Sequence, residues 1–376
     1  MRVSQRPLRS ADHAKLPLDR LLGESIERGA GVVHIEPEAH RAAVRVRADL
    51  QLQRFQSITR EEYFVLWQNI ADRFGVQQPE PFFEGSFPFT HEGDSLQIRV
   101  SMVPTPHGDS IALKINARGT KVLALDRLGL PDATLARLRA ALTRTRGLVL
   151  VAGASGSGGT TTLLSILASL ADGVRKLISI EDPIEVHLDG VQQIQVKVVR
   201  EYPERSITFA RALRAASLQN ADVIGIGQLR DAETADTAMQ AALSGALVVS
   251  RLHAPTAALA VARLKALGGG GEVADGLRTV IAQALLRRNC ADCAQPAPPP
   301  AGAALADADR DELAPHARAG RGCAACHGTG VRGVLPIFEL LEVDAARAGQ
   351  PDALSASARR AVLSGAVPVT EYLKLL

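Results

Sequence analysis

The sequence predicts an α/β protein, a doubly wound parallel sheet preceded by a small α+β domain. Three observations predict it. From residue 132 onward, strand-like runs alternate with helical stretches, the pattern of parallel strands joined by helical crossovers. The hydrophobic fraction is 46% but aromatics are only 3%, so the core is built from Leu, Val, Ile and Ala, which suits strands buried on both faces. One strand candidate, 147–152, runs into a Gly/Ser loop and then a Thr-rich helix, 160–170.

Taken in order, residues 16–30 carry Leu18, Leu21, Leu22 and Ile26 at helical spacing. Alternating runs follow at 32–35 and 43–47, then a helix at 61–74. Strands at 95–100 and 110–115 flank the turn Pro104-Thr105-Pro106-His107-Gly108. This is the small α+β domain, 1–118, with 116–122 as the way out of it. The second domain, 119–376, opens with a helix at 132–145. Beyond the Gly/Ser loop and its helix, strands are expected at 176–180, 191–196, 223–226 and 246–250. The run Gly268-Gly269-Gly270-Gly271 breaks the next helical region and reads as a flexible loop.

Net charge is +3, with Arg spread along the chain. That is not the footprint of a nucleic-acid-binding surface, and no nucleic-acid partner is expected. No apolar run reaches the roughly 20 residues of a membrane helix, and 1–16 lacks the apolar centre of a signal peptide. The expectation is a cytoplasmic protein, peripheral at a membrane only through protein partners.

The segment Gly153-Ala154-Ser155-Gly156-Ser157-Gly158-Gly159-Thr160-Thr161 fits the phosphate-loop pattern G-x-x-x-x-G-K-[ST] at every position but one. Gly153 and Gly158 match, and Thr160 stands at the hydroxyl that holds Mg²⁺. The lysine position is Gly159. Glycines let backbone N–H groups converge on phosphate, and a helix N-terminus adds partial positive charge. The candidate nucleotide-binding residues are therefore Gly153, Ser155, Gly156, Ser157, Gly158, Gly159, Thr160 and Thr161. A Gly-rich turn without a ligand is the plainer alternative.

Further motifs follow in a telling order: Ile180-Glu181-Asp182-Pro183-Ile184-Glu185, then Ile226-Gly227-Gln228-Leu229-Arg230-Asp231, then Ser244-Gly245-Ala246-Leu247-Val248-Val249-Ser250-Arg251-Leu252-His253. Upstream stand Val32-Val33-His34-Ile35-Glu36-Pro37 and Arg45-Val46-Arg47-Ala48-Asp49. In this order the chain resembles the hexameric motor ATPases of bacterial type II secretion and type IV pilus assembly. The resemblance runs from about residue 16 to the end, and the additional N-terminal domain through which many members dock has no counterpart in it. It implies a RecA-like phosphate-loop NTPase domain behind a PAS-like α+β domain, a ring of subunits, ATP with Mg²⁺, and inner-membrane platform proteins as partners. It also implies roles. Glu181, Asp182 and Glu185 would lie near Mg²⁺ and the attacking water, with His253 from the histidine motif. Arg45, Arg47 and Arg99 would reach nucleotide on a neighbouring domain; singly, each also reads as a surface residue or a structural ion pair. Among the departures from the family, three lose residues that move charge: Gly159 for its lysine, Gln228 for its second-motif glutamate, Ala246 for a histidine. Arg251 is a new charge where the family carries Thr.

Cys290-Ala-Asp-Cys293 and Cys323-Ala-Ala-Cys326 are separated by the Ala/Pro-rich stretch 294–322. Two C-x₂-C pairs in a chain without a signal peptide favour a tetrahedral Cys₄ zinc site over disulfides. Zn²⁺ would staple a module, 287–338, with too little core to fold alone. His327 is not expected to be a ligand. By resemblance, the cysteine module favours the pilus-extension branch over retraction members.

Residues that build the fold are kept and residues that move charge are lost. The expected function is a pseudo-ATPase with a scaffolding or regulatory role at a secretion or pilus platform, alone or in a mixed ring with an active paralogue. Two alternatives stay open: a slow active motor in which Arg251 replaces the lysine, and a nucleic-acid-handling relative.

Overall fold

The computed structural model describes residues 17–75, 82–117, 122–199, 202–269, 273–300, 302–343 and 353–376. The stretch 1–16, most of the expected linker at 116–122 and Gly270-Gly271 of the glycine run lie outside the described residues. The chain divides into two compact units, Met1–Thr120 and Lys121–Leu376. Among the described residues, no helix is long and apolar enough to cross a membrane.

The first unit runs α1 (Pro17–Glu27), β1 (Ala30–Pro37), β2 (Arg41–Ala48), β3 (Gln51–Thr59), α2 (Arg60–Phe74), β4 (Phe83–His91), β5 (Asp94–Thr105), β6 (Gly108–Ala117). Its strands form one antiparallel sheet in the order β3-β2-β1-β6-β5-β4. Alternation decides which face is covered: Ala42, Val44 and Val46 point inward from β2 and meet Leu18, Leu22, Tyr63 and Ile70 from the two helices. Helix α2 starts at a reciprocal cap between Thr59 and Glu62 and stops at Gly75, φ 64°. The β5–β6 turn is tighter than expected, because Thr105 pairs with Gly108 and only Pro106-His107 remain outside the ladder. Strands β3 and β4 are not among those expected from the sequence. They are mostly half-exposed, so their apolar residues do not alternate cleanly.

The second unit carries α3 (Asp132–Leu142), β7 (Gly147–Gly153), α4 (Gly159–Leu170), β8 (Leu177–Glu181), β9 (Val191–Gln195), α5 (Phe209–Leu218), β10 (Val223–Ile226), α6 (Ala232–Leu243), β11 (Leu247–His253), α7 (Ala257–Leu264) and β12 (Leu277–Asn289). The short strands β13 (Ala294–Pro296) and β14 (Arg318–Gly320) follow, then β15 (Val331–Glu342) and the helices Leu354–Leu363 and Val369–Tyr372. The seven-stranded sheet has the order β15-β12-β7-β11-β10-β8-β9. Leu148, Leu150 and Ala152 of β7 face one core, shared with α5, α6 and α7. Val149 and Val151 face the other, shared with α3 and α4. Both faces are covered, as a doubly wound sheet requires.

The sheet is mixed rather than wholly parallel. Every neighbouring pair is parallel except β12 with β15. These two are the arms of one hairpin whose excursion carries the cysteines, and hairpin arms run antiparallel. Neither arm is among the strands expected from the sequence. β12 is a long apolar run, and periodicity does not tell such a run from a buried helix.

Candidate functional site

Strand β7 is buried through Ala152 and delivers Gly153 to the C-terminal edge of the sheet. The chain then turns through 154–158, with φ of 79° at Gly156 and 88° at Gly158, and α4 begins at Gly159. The turn folds back on its own strand. Ser157 N–H donates to Ala154 O at 3.1 Å, and a Cβ on Gly153 would collide with the Ser157 hydroxyl. Ser155, Gly156 and Thr161 are exposed, whereas Ser157 and Gly159 are buried.

Gln283, on β12, clamps this loop and is not among the residues singled out from the sequence. Its Nε2 donates to Ser157 O at 2.6 Å, and its Oε1 accepts from the Thr162 hydroxyl at 2.6 Å. One signal was available: Gln283 is a lone amide inside the apolar run Val280-Ile281-Ala282-Gln283-Ala284-Leu285. A buried amide is kept where its donors and acceptors are matched.

The lysine position is filled from elsewhere. Arg251 points from β11 toward the loop, and its Nη1 donates to Thr160 Oγ1 at 2.7 Å. A Cβ on Gly159 would lie 3.1 Å from Arg251 Nε. Burial lowers the Arg251 pKa, the Glu185 carboxylate works against that, and the Arg230 guanidinium adds to it. An arginine stays protonated through such a shift.

The acidic motifs converge on the same cleft. Thr160, Glu181, Asp182, Glu185, Gln228 and Arg251 line one cavity of about 40 Å³. Gly159, Ser157, Gln228, Arg251 and His253 line a second, of about 10 Å³. Glu181 is buried and committed, its Oε1 accepting from Ser179 Oγ at 2.7 Å and Gln193 Nε2 at 2.9 Å. Asp182 pairs with Arg230 at 3.1 Å, and Arg230 Nε donates to Gln228 Oε1 at 3.3 Å. Asp231, beside it, caps α6 by accepting from Thr234 N at 2.8 Å.

His253 and Ala246 sit at opposite ends of one strand. His253 is in register with Gly153 at the loop, while Leu247 is in register with Gly147 at the far end. Ala246 precedes that pair, about 23 Å from the loop at 3.3 Å per strand residue. The substitution at Ala246 therefore removes no charge from the phosphate cleft, and the coordinated loss narrows to Gly159 and Gln228.

Arg45, Arg47 and Arg99 belong to the first unit, and two of them are paired there. Arg45 binds Glu36 through both carboxylate oxygens, at 2.6 and 2.5 Å. Arg99 reaches Glu84 at 3.4 Å, and Arg47 donates to Leu50 O at 3.5 Å.

Whether the cleft fits Mg²⁺ is decided by its donors. The Thr160 hydroxyl already accepts from a guanidinium and the second-motif carboxylate is a neutral amide, while Glu181, Asp182 and Glu185 still line the cavity. A dication at Thr160 would face Arg251 at hydrogen-bond range. The position beside Thr160, held by Arg251, does not fit the metal of an ordinary phosphate loop.

The cysteines do fit a metal. Cys290 to Cys323 is 3.8 Å, Cys293 to Cys326 is 3.9 Å and Cys323 to Cys326 is 3.7 Å, sulfur to sulfur. A zinc tetrahedron with 2.3 Å bonds has edges of about 3.8 Å. These separations are far beyond a disulfide's roughly 2.05 Å. All four Sγ atoms lie within 4.8 Å of one another, and His327 is not among the converging ligands. The Cys326 thiol feels burial that raises its pKa, yet backbone N–H groups of Cys323 and Gly330, each 3.2 Å from Sγ, hold it down to about 6. Backbone must pass close to bring those donors in: a Cβ on Gly322 would stand 2.5 Å from Gly328 O.

The sequence model of the family described as "Type II/IV secretion system protein" matches residues 10–357. The chain is similar to the type II secretion system ATPase E of Vibrio cholerae, 34% identical over 331 residues, covering 87% of this chain and 65% of that protein. It is similar to the type IV pilus assembly ATPase PilB of Thermus thermophilus, 30% identical over 330 residues, covering 86% of this chain and 37% of that protein. The chain thus spans just under two thirds of the length of its type II relatives. Its fold is similar to that of the Legionella pneumophila ATPase DotB, with a TM-score of 0.69 at 19% identity, covering 97% of this chain and 96% of the other.

Proposed function

The chain belongs to the type II/IV secretion system protein family, and from that premise we propose that it is a nucleotide-binding member that does not hydrolyse ATP. Such a pseudo-ATPase serves a type II secretion or type IV pilus assembly platform as a structural or regulatory subunit. Its partners on this reading are inner-membrane platform proteins and further ring subunits, among them an active paralogue whose site Arg45, Arg47 or Arg99 could complete. One Zn²⁺ on Cys290, Cys293, Cys323 and Cys326 holds the module 287–338 together.

The observation that carries the reading is Gln228, in the cleft with Gly159 and beside carboxylates already engaged. An amide can orient a water but cannot take its proton. Removing one preorganised charge stabiliser commonly costs about 10²–10³ in rate. The loop's backbone N–H groups and the start of α4 still present donors to phosphate.

A second reading is favoured by one distance, the 3.1 Å between Arg251 Nε and the Cβ position of residue 159. There Arg251 supplies the lysine's charge to a slow motor. Phosphate release from ATP by the purified, zinc-loaded chain separates the two. Release at no more than the buffer rate is expected, and release that disappears in Arg251→Ala would overturn the pseudo-ATPase reading.

A further inference from the structure

We propose that the Arg251 guanidinium replaces both the lysine and the divalent cation of an ordinary phosphate loop, so that this loop takes a nucleotide's polyphosphate without Mg²⁺. The proposal rests on the nucleotide-binding half of the reading above and goes beyond it in naming the ligand as metal-free nucleotide.

One planar group spans two roles. Nη1 sits 2.7 Å from Thr160 Oγ1, the hydroxyl that ligates Mg²⁺ in the standard pattern. Nε sits 3.1 Å from where the side chain of residue 159 would begin. Arg251 also lines both small cavities flanking the loop. Its fork carries five N–H donors suited to phosphate oxygens and never deprotonates.

The charges around it point the same way. A dication needs carboxylates to offset its repulsion from a guanidinium. The second-motif position that would supply one holds Gln228, Asp182 is paired with Arg230, and Glu181 still offers a carboxylate but turns Oε1 to Ser179 and Gln193. Glu185 is the carboxylate that acts on Arg251 itself. A triphosphate brings its own negative charge, and its oxygens can pair with the guanidinium that a dication at Thr160 would have to face. Cavities of about 40 and 10 Å³ are smaller than a triphosphate. Binding therefore exchanges the Thr160 hydroxyl for phosphate oxygens on Arg251.

The test is calorimetric titration of ATP into the full zinc-loaded chain, in Mg²⁺-free buffer and again with Mg²⁺, with no chelator so that the cysteines keep their metal. Wild type is expected to bind equally, within about threefold, in both buffers. Arg251→Ala should weaken binding about 10- to 100-fold in Mg²⁺-free buffer, the loss expected for charge-assisted hydrogen bonds. The double variant Gly159→Lys/Arg251→Thr should bind more tightly once Mg²⁺ is added. Wild-type binding that tightens tenfold or more with Mg²⁺ overturns the proposal and leaves non-hydrolysis standing. Binding in neither buffer overturns the proposal together with the nucleotide-binding half of the reading. Phosphate release overturns the pseudo-ATPase reading alone. The wild-type comparison needs no variant, so a misfolded Arg251→Ala leaves the test intact.

Discussion

The guanidinium of Arg251 crowds the place where a side chain on Gly159 would begin, with Nε 3.1 Å from that Cβ position. The two residues are complementary: the absence of one side chain makes room for the other. Gly159→Lys alone should therefore set two cations against each other in a half-buried cleft, at a cost of about 2–4 kcal/mol. The thermal unfolding midpoint should fall by several degrees, and the pair Gly159→Lys/Arg251→Thr should recover most of it. A midpoint unchanged in the single variant would show that Arg251 leaves the cleft readily.

Gln283 should matter more than its lack of chemistry suggests. Replacing it with Leu strands the buried Ser157 carbonyl and Thr162 hydroxyl, at about 1–3 kcal/mol for each unsatisfied group. Amide hydrogen exchange across 154–162 should accelerate in Gln283→Leu and leave the first unit unchanged. Unaltered exchange in the loop would mean that the clamp is dispensable.

Metal analysis of the purified chain should return one zinc per molecule, and Cys323→Ser should lose it. The excursion is not wholly dependent on the ion, because Leu313 and Ala317 join the main core. Loss of zinc should therefore deprotect 290–296 and 318–330 to exchange while 307–313 stays partly protected. A chain that purifies without zinc and keeps that protection would sink the structural-zinc reading.

Glu371 supplies a pH dependence. Burial works to raise its pKa, but Lys374 and the backbone and side chain of Arg287 hold it below the usual carboxylate range. A depressed folded pKa means stability that is present above the unfolded value, near 4.3, and lost as pH falls through the folded one. Glu371→Gln should lower stability at neutral pH by about 3 kcal/mol, the cost of breaking a buried pair. It should also flatten the loss of stability below about pH 4. Parallel acid profiles for variant and wild type would refute the assignment.

Much of this was legible because the signals were local. A strand ending at Gly153, glycines where φ turns positive and two C-x₂-C pairs each announce themselves within a few residues. The clamp by Gln283 and the reach of Arg251 to Thr160 join residues far apart in sequence. Only the strand order β12-β7-β11 puts them on either side of the loop. The same order explains Ala246. A motif ten residues long reads as one unit in sequence, yet laid along β11 it places its two ends on opposite rims of the sheet. β12 escaped for a related reason, since a strand buried on both faces loses the alternation that marks its exposed counterparts.

Strand β12 connects three of these features in series. Gln283 grips the phosphate loop, Arg287 is held by Glu371 near the C-terminus, and Cys290 follows directly as the first of the four thiols. About 23 Å of extended backbone separates the amide from the cysteine, at 3.3 Å per residue. The hairpin thus carries the cysteine cluster at its tip and the clamp on the loop at the middle of its first arm. A load applied at the tip, by a neighbouring subunit or a docked partner, would reach Ser157 along this one strand, past the register shift between Arg287 and Asn289.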